Sequence, residues 1–342
     1  MTILGIESSC DETAAAVVKD GSILLSNIVQ SQIDIHKMYG GVVPEVAARS
    51  HIEVILPVID QALSAAKTTW DDIDAIAVTY APGLIGSLLI GSLAARTLAL
   101  LKNKPLYAIH HVEAHVYANF LVNPQPKLPT LALIVSGGHS QLVLFNDHKD
   151  YKLLGQTQDD AVGEAFDKVA KIIGLPYPGG PSIAKAAELG NALAYKLPKA
   201  RLSGKYDFSF SGLKTATLRL VQQMCGVDHN FPSSQLAGLL NDSQRNDIAA
   251  SFQRAAVETL VDKTLLAFKD YSPASVVIAG GVASSAALRK ELSDRLPIEI
   301  NYPAPNLCTD NAAMIATLAF YQAQKQKPAD PLELQVVPSL SM

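Results

Sequence analysis

The chain has 342 residues, 49% hydrophobic and 18% charged, and its 28 Lys and Arg nearly balance its 32 Asp and Glu to leave a net charge of -4. That length suits two domains of ordinary size, and the charge balance excludes an overtly basic nucleic-acid binder. Three cysteines, Cys10, Cys225 and Cys308, exclude a disulfide framework. The most apolar run, residues 84–101, is interrupted by Gly86, Ser87, Gly91, Ser92 and Arg96, short of the unbroken stretch a membrane span needs. With no basic leader before Ile3, the chain is expected in the cytoplasm, away from membranes.

Residues 4–7 predict a strand, Ser8-Ser9-Cys10-Asp11-Glu12-Thr13 a polar turn, residues 14–18 a second strand, and Lys19-Asp20-Gly21 a hairpin turn into a third. The backbone amides of such a turn can hold phosphate, although Asp11 and Glu12 repel a bare phosphate unless a cation intervenes. A plain hairpin is the simpler alternative. Pro44 opens a helix to about Ala66 with an apolar stripe at Val46, Ile52, Ile55, Leu56, Ile59 and Leu63. Residues 73–79 read as the next strand. The helix after it carries Gly86, Ser87, Gly91, Ala94 and Ala95, small residues that let another helix approach, from within the fold or from a partner subunit.

His110-His111-Val112-Glu113-Ala114-His115 follows a short apolar run, where a strand's carboxyl end meets a helix start. Open α/β sheets bind ligands at that edge. On a helix, His111 and His115 lie one above the other and can share a metal ion, although histidines at this spacing also occur as ordinary core or surface residues. The zinc-protease signature needs a glutamate directly after the first histidine. Val112 holds that place, and Glu113 falls roughly 200° round the helix from His111, so a peptidase is the weaker reading.

Residues 131–135 begin again with a strand, a Ser136-Gly137-Gly138-His139-Ser140 turn and a strand over 141–145. This repeats the opening order and predicts two similarly folded halves whose hairpin turns converge on a cleft. Gly137 and Gly138 allow close approach to a phosphate. Residues 163–174 read as a helix carrying Asp167, and Tyr177-Pro178-Gly179-Gly180-Pro181 as a turn within a polar, partly helical insertion at about 176–240. In that insertion Lys196, Lys199, Arg201, Lys205, Lys214 and Arg219 face only Asp207 in opposition. Tyr206, Phe208 and Phe210 interleave with them, as in a solvated loop or a base-stacking surface.

A helix over 244–268 precedes a strand at 275–279, Gly280-Gly281 and a helix from about Ser284. That arrangement suits a nucleotide over the glycines, or simply tight packing. Asp310, before a helix at 312–323, fits an N-cap. It is also the strongest candidate for a carboxylate ligand to join the histidines, with Cys308 second.

Six segments taken together resemble the tRNA threonylcarbamoyladenosine transferase family, the bacterial TsaD proteins. They are Gly5-Ile6-Glu7-Ser8-Ser9-Cys10-Asp11-Glu12-Thr13, Tyr39-Gly40-Gly41-Val42-Val43-Pro44-Glu45, His111-Val112-Glu113-Ala114-His115, Val135-Ser136-Gly137-Gly138-His139, Tyr177-Pro178-Gly179-Gly180-Pro181 and Cys308-Thr309-Asp310-Asn311. The resemblance implies an α/β, duplicated actin-like or Hsp70-like ATPase fold of two RNase H-like lobes with a cleft between them. The expected lobes are residues 1–128, joined by the helix 310–325, and residues 129–309.

The resemblance also implies transfer of a threonylcarbamoyl group from threonylcarbamoyl-AMP to N6 of the adenosine beside the tRNA anticodon, in tRNAs reading codons that begin with adenine. His111, His115 and Asp310 would hold one divalent metal ion, with Fe(2+) favoured and Zn(2+) the other choice for imidazole donors. Ile134, Val135, Ser136, Gly137, Gly138, Asp167, Gly180 and Ser285 would bind the adenylate. Asp11 and Glu12 are the candidates for organising water or the attacking amine. Ser285 departs from the family pattern, which has an asparagine there. The partners implied are a shorter paralogue (TsaB), an ATPase (TsaE) and the adenylate-forming enzyme (TsaC). An actin-fold ATPase or kinase and a metallopeptidase are the alternatives.

Overall fold

A computed structural model describes residues 1–122 and 126–342. The chain divides into two compact units, one of residues 1–127, 147–150 and 301–342, the other of residues 128–146 and 151–300. The first unit opens with β1 (Thr2–Glu7), β2 (Glu12–Lys19) and β3 (Ile23–Ser31), a short α1 (Ile33–Lys37) and the long α2 (Pro44–Ala66). It continues through β4 (Ala75–Ala81), α3 (Ile85–Lys102), β5 (Leu106–His110) and α4 (His111–Tyr117). Its sheet runs β3-β2-β1-β4-β5, antiparallel from β1 to β2 (Glu7 opposite Ala14) and from β2 to β3, and parallel from β1 to β4 and from β4 to β5.

The second unit repeats this plan. β6 (Thr130–Val135), β7 (Ser140–Asp147) and β8 (Asp150–Gln156) lead into α5 (Val162–Ile173), α6 (Gly179–Ala187), α7 (Ser211–Met224), α8 (Ser233–Leu236) and α9 (Asp242–Tyr271). Then follow β9 (Ser275–Ala279), α10 (Ala286–Arg295) and β10 (Ile300–Asn301), in a sheet ordered β10-β9-β6-β7-β8. Again β6 pairs antiparallel with β7 and parallel with β9. The chain closes with α11 (Pro305–Cys308) and α12 (Ala312–Ala323), both in the first unit.

Helices cover both faces of β1 and β2, which is why these strands read as nearly unbroken apolar runs. Period-two alternation sends Leu4 and Ile6 into a cluster with Ile55, Ile59 and Ala95, while Gly5 faces α12. A Cβ at Gly5 would stand 2.3 Å from the Ala312 carbonyl oxygen, so glycine lets α12 lie directly on the strand. Glu7 shares the face of Gly5 and is thereby carried to the start of α12. With Ala312 to Ala319 buried throughout, α12 is a helix that is apolar all round.

Several sequence expectations change in detail. On α2 the buried row is Ala47, His51, Ile55, Val58, Ile59, Ala62 and Leu63. Ile52 and Leu56 lie about one residue-step round from it and are 61% and 57% exposed. Residues 12 and 13 belong to β2 rather than to the turn, since Glu12 pairs with Ser31 across the ladder. The segment 177–181 is not a turn throughout: α6 already starts at Gly179, whose N–H donates to Asp167 Oδ1 at 2.6 Å. α9 begins two residues early because Asn241 and Gln244 form a reciprocal capping box.

By length and composition α3 does meet the requirement of a span, with mean hydropathy 1.4. One side of it, at Ser87, Leu88, Gly91, Ser92, Ala95 and Ala99, is packed into the first unit.

Candidate functional site

α4 starts where β5 ends, and His110 caps it by accepting the N–H of Glu113 at 3.4 Å. Burial pushes the His110 imidazole down to about 4, so it stays neutral in that role. The first and fifth residues of the helix are His111 and His115, and both are buried. Asp310 reaches them from the start of α12. Its Oδ1 lies 3.5 Å from His111 Nε2 and 3.3 Å from His115 Nε2.

Asp310 is not the cap of α12, which falls one residue later than expected. Asn311 Oδ1 accepts the N–H of Met314, and its amide donates to the carbonyls of Leu307 and Thr309. Cys308, the second ligand candidate, lies outside the group; its buried thiol donates to the carbonyls of Pro303 and Ala304 at 3.5 Å.

One ligand atom from each of His111, His115 and Asp310 lies within 4.8 Å of the others. Whether these residues suit a metal is tested by His115. Both of its ring nitrogens are buried without a hydrogen bond, an arrangement that carries a desolvation cost of about 1–3 kcal/mol. A cation at Nε2 would remove part of that cost, and two imidazoles with one carboxylate are a donor set for iron or zinc more than for magnesium. The residues fit the ion.

A second carboxylate stands behind His111. Glu7, fully buried at the end of β1, accepts the Nδ1 proton of His111 at 2.9 Å, the Thr79 hydroxyl at 2.6 Å and the N–H of Ser9 at 2.5 Å. Burial pushes Glu7 up, yet the adjacent imidazole leaves it below the usual carboxylate range. His111 moves the other way. Burial alone would lower it, but Asp310 and Glu7 raise it to about 9. Motif spacing passes over Glu7; the signal was a lone charge closing the apolar run 3–6.

The turn between β1 and β2 is tied down rather than open. The Cys10 carbonyl accepts from His51 Nε2 at 3.0 Å and Ser87 Oγ at 3.1 Å, and the Thr13 hydroxyl sits 2.7 Å from His51 Nδ1. With the Ser9 N–H spent on Glu7, a phosphate cradle at that residue is ruled out. Glu12 hydrogen-bonds Ser31 Oγ at 3.2 Å. Burial first, then Asp310 and Asp11, push its carboxyl up to about 10.

In the second unit the Ser136 to His139 turn closes with the Ser136 N–H on the His139 carbonyl at 2.8 Å. Gly163, in the first turn of α5, lies beneath it, where a Cβ would stand 2.7 Å from the Ser136 oxygen. Beside α5, Asp167 holds the start of α6 through Gly179. Gly280, at φ +89, abuts the Val135 carbonyl at the end of β6. By contrast, a Cβ at Gly137, Gly138 or Gly180 would meet nothing within 4 Å. Those three backbones border open space. Ile134 and Val135 are buried in β6, and Ser285 caps α10 by accepting the Leu288 N–H at 3.4 Å.

One sequence idea fails. Phe208 and Phe210 are completely buried and cannot stack on bases. Tyr206 donates to Asp270, and Lys199, Lys205 and Lys214 pair with Asp262, Asp270 and Asp160. Of the small residues of α3, Ser87, Gly91 and Ala95 are packed within the first unit, while Gly86 and Ala94 stay partly exposed. A Cβ at Gly91 would stand 2.2 Å from Ser8 Oγ, so that side of α3 is spent on the fold. Glu113 is buried against Lys149 Nζ at 2.9 Å, which leaves it unavailable as a peptidase base.

Two mixed five-stranded sheets with the same strand order define a duplicated actin-like fold, here carrying a histidine–carboxylate group at one strand end. A solved structure of full-length HypF, phosphate- and nucleotide-bound, superposes with a TM-score of 0.61 over 96% of this chain and 47% of its own, at 14% identity, which speaks for the fold alone. Residues 23–317 match the family described as tRNA N6-adenosine threonylcarbamoyltransferase. Curated relatives of that name from Thermomicrobium roseum and Symbiobacterium thermophilum are each 52% identical, over 98% and 99% of this chain and 95% and 96% of theirs. The chain belongs to the tRNA N6-adenosine threonylcarbamoyltransferase family and is a transferase.

Proposed function

We propose that the protein transfers the threonylcarbamoyl group of threonylcarbamoyl-AMP to N6 of adenosine 37 in tRNAs that read codons beginning with adenine, and that it needs one divalent metal ion. The observation that carries the metal dependence is the convergence of His111, His115 and Asp310 with both His115 nitrogens lacking a hydrogen-bond partner. Bound there, Fe(2+), or Zn(2+) as second choice, would supply Lewis acidity to substrate oxygens.

The mixed anhydride is already activated, so no protein nucleophile is required. N6 attacks the carbamoyl carbon, the bond from that carbon to the phosphate oxygen breaks, AMP leaves with the electron pair, and N6 gives up one proton to water. Ile134, Val135, Ser136, Gly137 and Gly138 would hold the adenylate with Asp167, Gly180 and Ser285. The open space at Gly137, Gly138 and Gly180 supports this, because backbone N–H groups unshielded by a side chain can approach a phosphate closely. Asp11 and Glu12 would orient the attacking amine. In the metal-free protein Glu12 stays protonated well above neutral pH, so one oxygen can donate its O–H while the other accepts the Ser31 hydroxyl.

The partners are tRNA, the shorter paralogue TsaB, the ATPase TsaE and the adenylate delivered by TsaC, in the cytoplasm. The paralogue contact would lie on α3, where the exposed row Ile85, Leu89 and Leu93, with Ile52 and Leu56 of α2, all half or more exposed, supports the outward side of the stretch 86–95. The deciding experiment is transfer of labelled threonylcarbamoyl from pre-made adenylate to tRNA with purified partners, wild type against His111→Ala. Product from the wild type alone supports the proposal. ATP turnover without tRNA, and no labelled tRNA, would replace it with an ATPase.

A further inference from the structure

The two histidines of the candidate metal group are held differently. His115 has no hydrogen bond at either ring nitrogen. His111 has its Nδ1 between Glu7 Oε2 at 2.9 Å and Ser9 Oγ at 3.2 Å. Glu7 is itself fixed on both oxygens. Oε1 accepts the Ser9 N–H at 2.5 Å, Oε2 accepts the Thr79 hydroxyl at 2.6 Å, and the side chain is completely buried. An ionised carboxylate accepts only. Facing Nδ1, it keeps a proton on that nitrogen, so that Nε2, 3.5 Å from Asp310, is the nitrogen that would exchange its proton for a metal ion.

We propose that Glu7 is a positioning residue of the metal group: it selects the Nδ1–H tautomer of His111, fixes the ring plane and strengthens Nε2 as a donor. A carboxylate behind a ligating imidazole does this in metal proteins generally, and its loss typically weakens metal binding 10–100-fold. The inference rests on the metal reading given above. It also explains a buried charge at the end of an apolar strand, where a hydrophobic residue would otherwise be expected.

Glu7→Gln is the informative change because it keeps volume and one acceptor but brings an NH2 group. If that group donates to His111 Nδ1, the ring proton is driven to Nε2, onto the ligand position. The test is a Co(2+) titration of the full chain followed by visible absorption, with circular dichroism as a check on folding. The expected result is a normally folded Glu7→Gln that binds Co(2+) about 10–100-fold more weakly, with Glu7→Asp intermediate. Equal affinity in a folded Glu7→Gln overturns the role of Glu7 and leaves the metal reading intact. No Co(2+) binding by the wild type overturns the metal reading itself. Should Glu7→Gln not fold, histidine 15N spectra of the Zn(2+)-loaded wild type decide. A proton on His111 Nδ1 with Nε2 ligating supports the role, and ligation through Nδ1 overturns it.

Discussion

His115 Nε2 stands 3.3 Å from Asp310 Oδ1, yet neither nitrogen of the His115 ring makes a hydrogen bond. A packed interior rarely tolerates this without a compensating ligand. His115→Ala and Asp310→Asn should each lower bound metal at least tenfold, measured by elemental analysis after dialysis. Transferase activity should fall in proportion. Full metal content in either variant would remove these residues from the ligand set.

Proton and metal compete for His111. Its imidazole titrates near 9 in the folded, metal-free chain against 6.5 ordinarily, so metal affinity should climb from pH 6 to pH 9, by up to about tenfold per pH unit. Without metal, the elevated pKa contributes stability that is full below about 6.5 and is lost as pH rises through about 9, of the order of 3 kcal/mol. Glu12, raised to about 10, has the same sign. Chelated protein should therefore melt lower at pH 9 than at pH 6, and added Zn(2+) should narrow the gap. A melting temperature that rises with pH under chelation would contradict both assignments.

Gly91→Leu and Leu93→Asp should separate folding from partner binding. A Cβ at 91 collides with Ser8, so Gly91→Leu should cost more than about 2 kcal/mol in denaturant unfolding with or without the paralogue. Leu93 is 60% exposed. Leu93→Asp should leave the melting temperature within a few degrees and abolish co-purification with the paralogue.

Gly180→Val adds bulk where nothing lies within 4 Å. The variant should fold normally and raise the KM for the adenylate at least tenfold. An unchanged KM would move the adenylate away from Gly180.

Ser285 is a working N-cap, and serine and asparagine serve about equally there. Ser285→Asn should change stability by less than about 0.5 kcal/mol, while Ser285→Ala costs about 1 kcal/mol. Any larger effect of the asparagine on transfer then reports substrate contact, read from KM.

What the sequence disclosed depended on whether local pattern or distant packing made the feature. The repeat of strand, turn and strand was visible because each half writes it out in contiguous residues, and the bounds of α2 and α12 followed from Pro44 and from the apolar run 312–319. The pairing of His111 with His115 was equally local. Glu7 was not, since its partners are Thr79 and His111, 72 and 104 residues away. Nothing local distinguishes a cap at Asp310 from one at Asn311, and only the fold shows that the latter takes the role. Phe208 and Phe210 misled for the same reason: an aromatic between lysines reads as a platform until a core closes over it.

The approach of α12 to β1 across Gly5 also sets an order in time. A ribosome delivers both histidines about two hundred residues before Asp310, so on the proposed ligand set a nascent chain would lack its carboxylate until α12 begins to emerge. Metal loading would thereby wait for that helix, and fragments that stop short of it would be left without the third ligand.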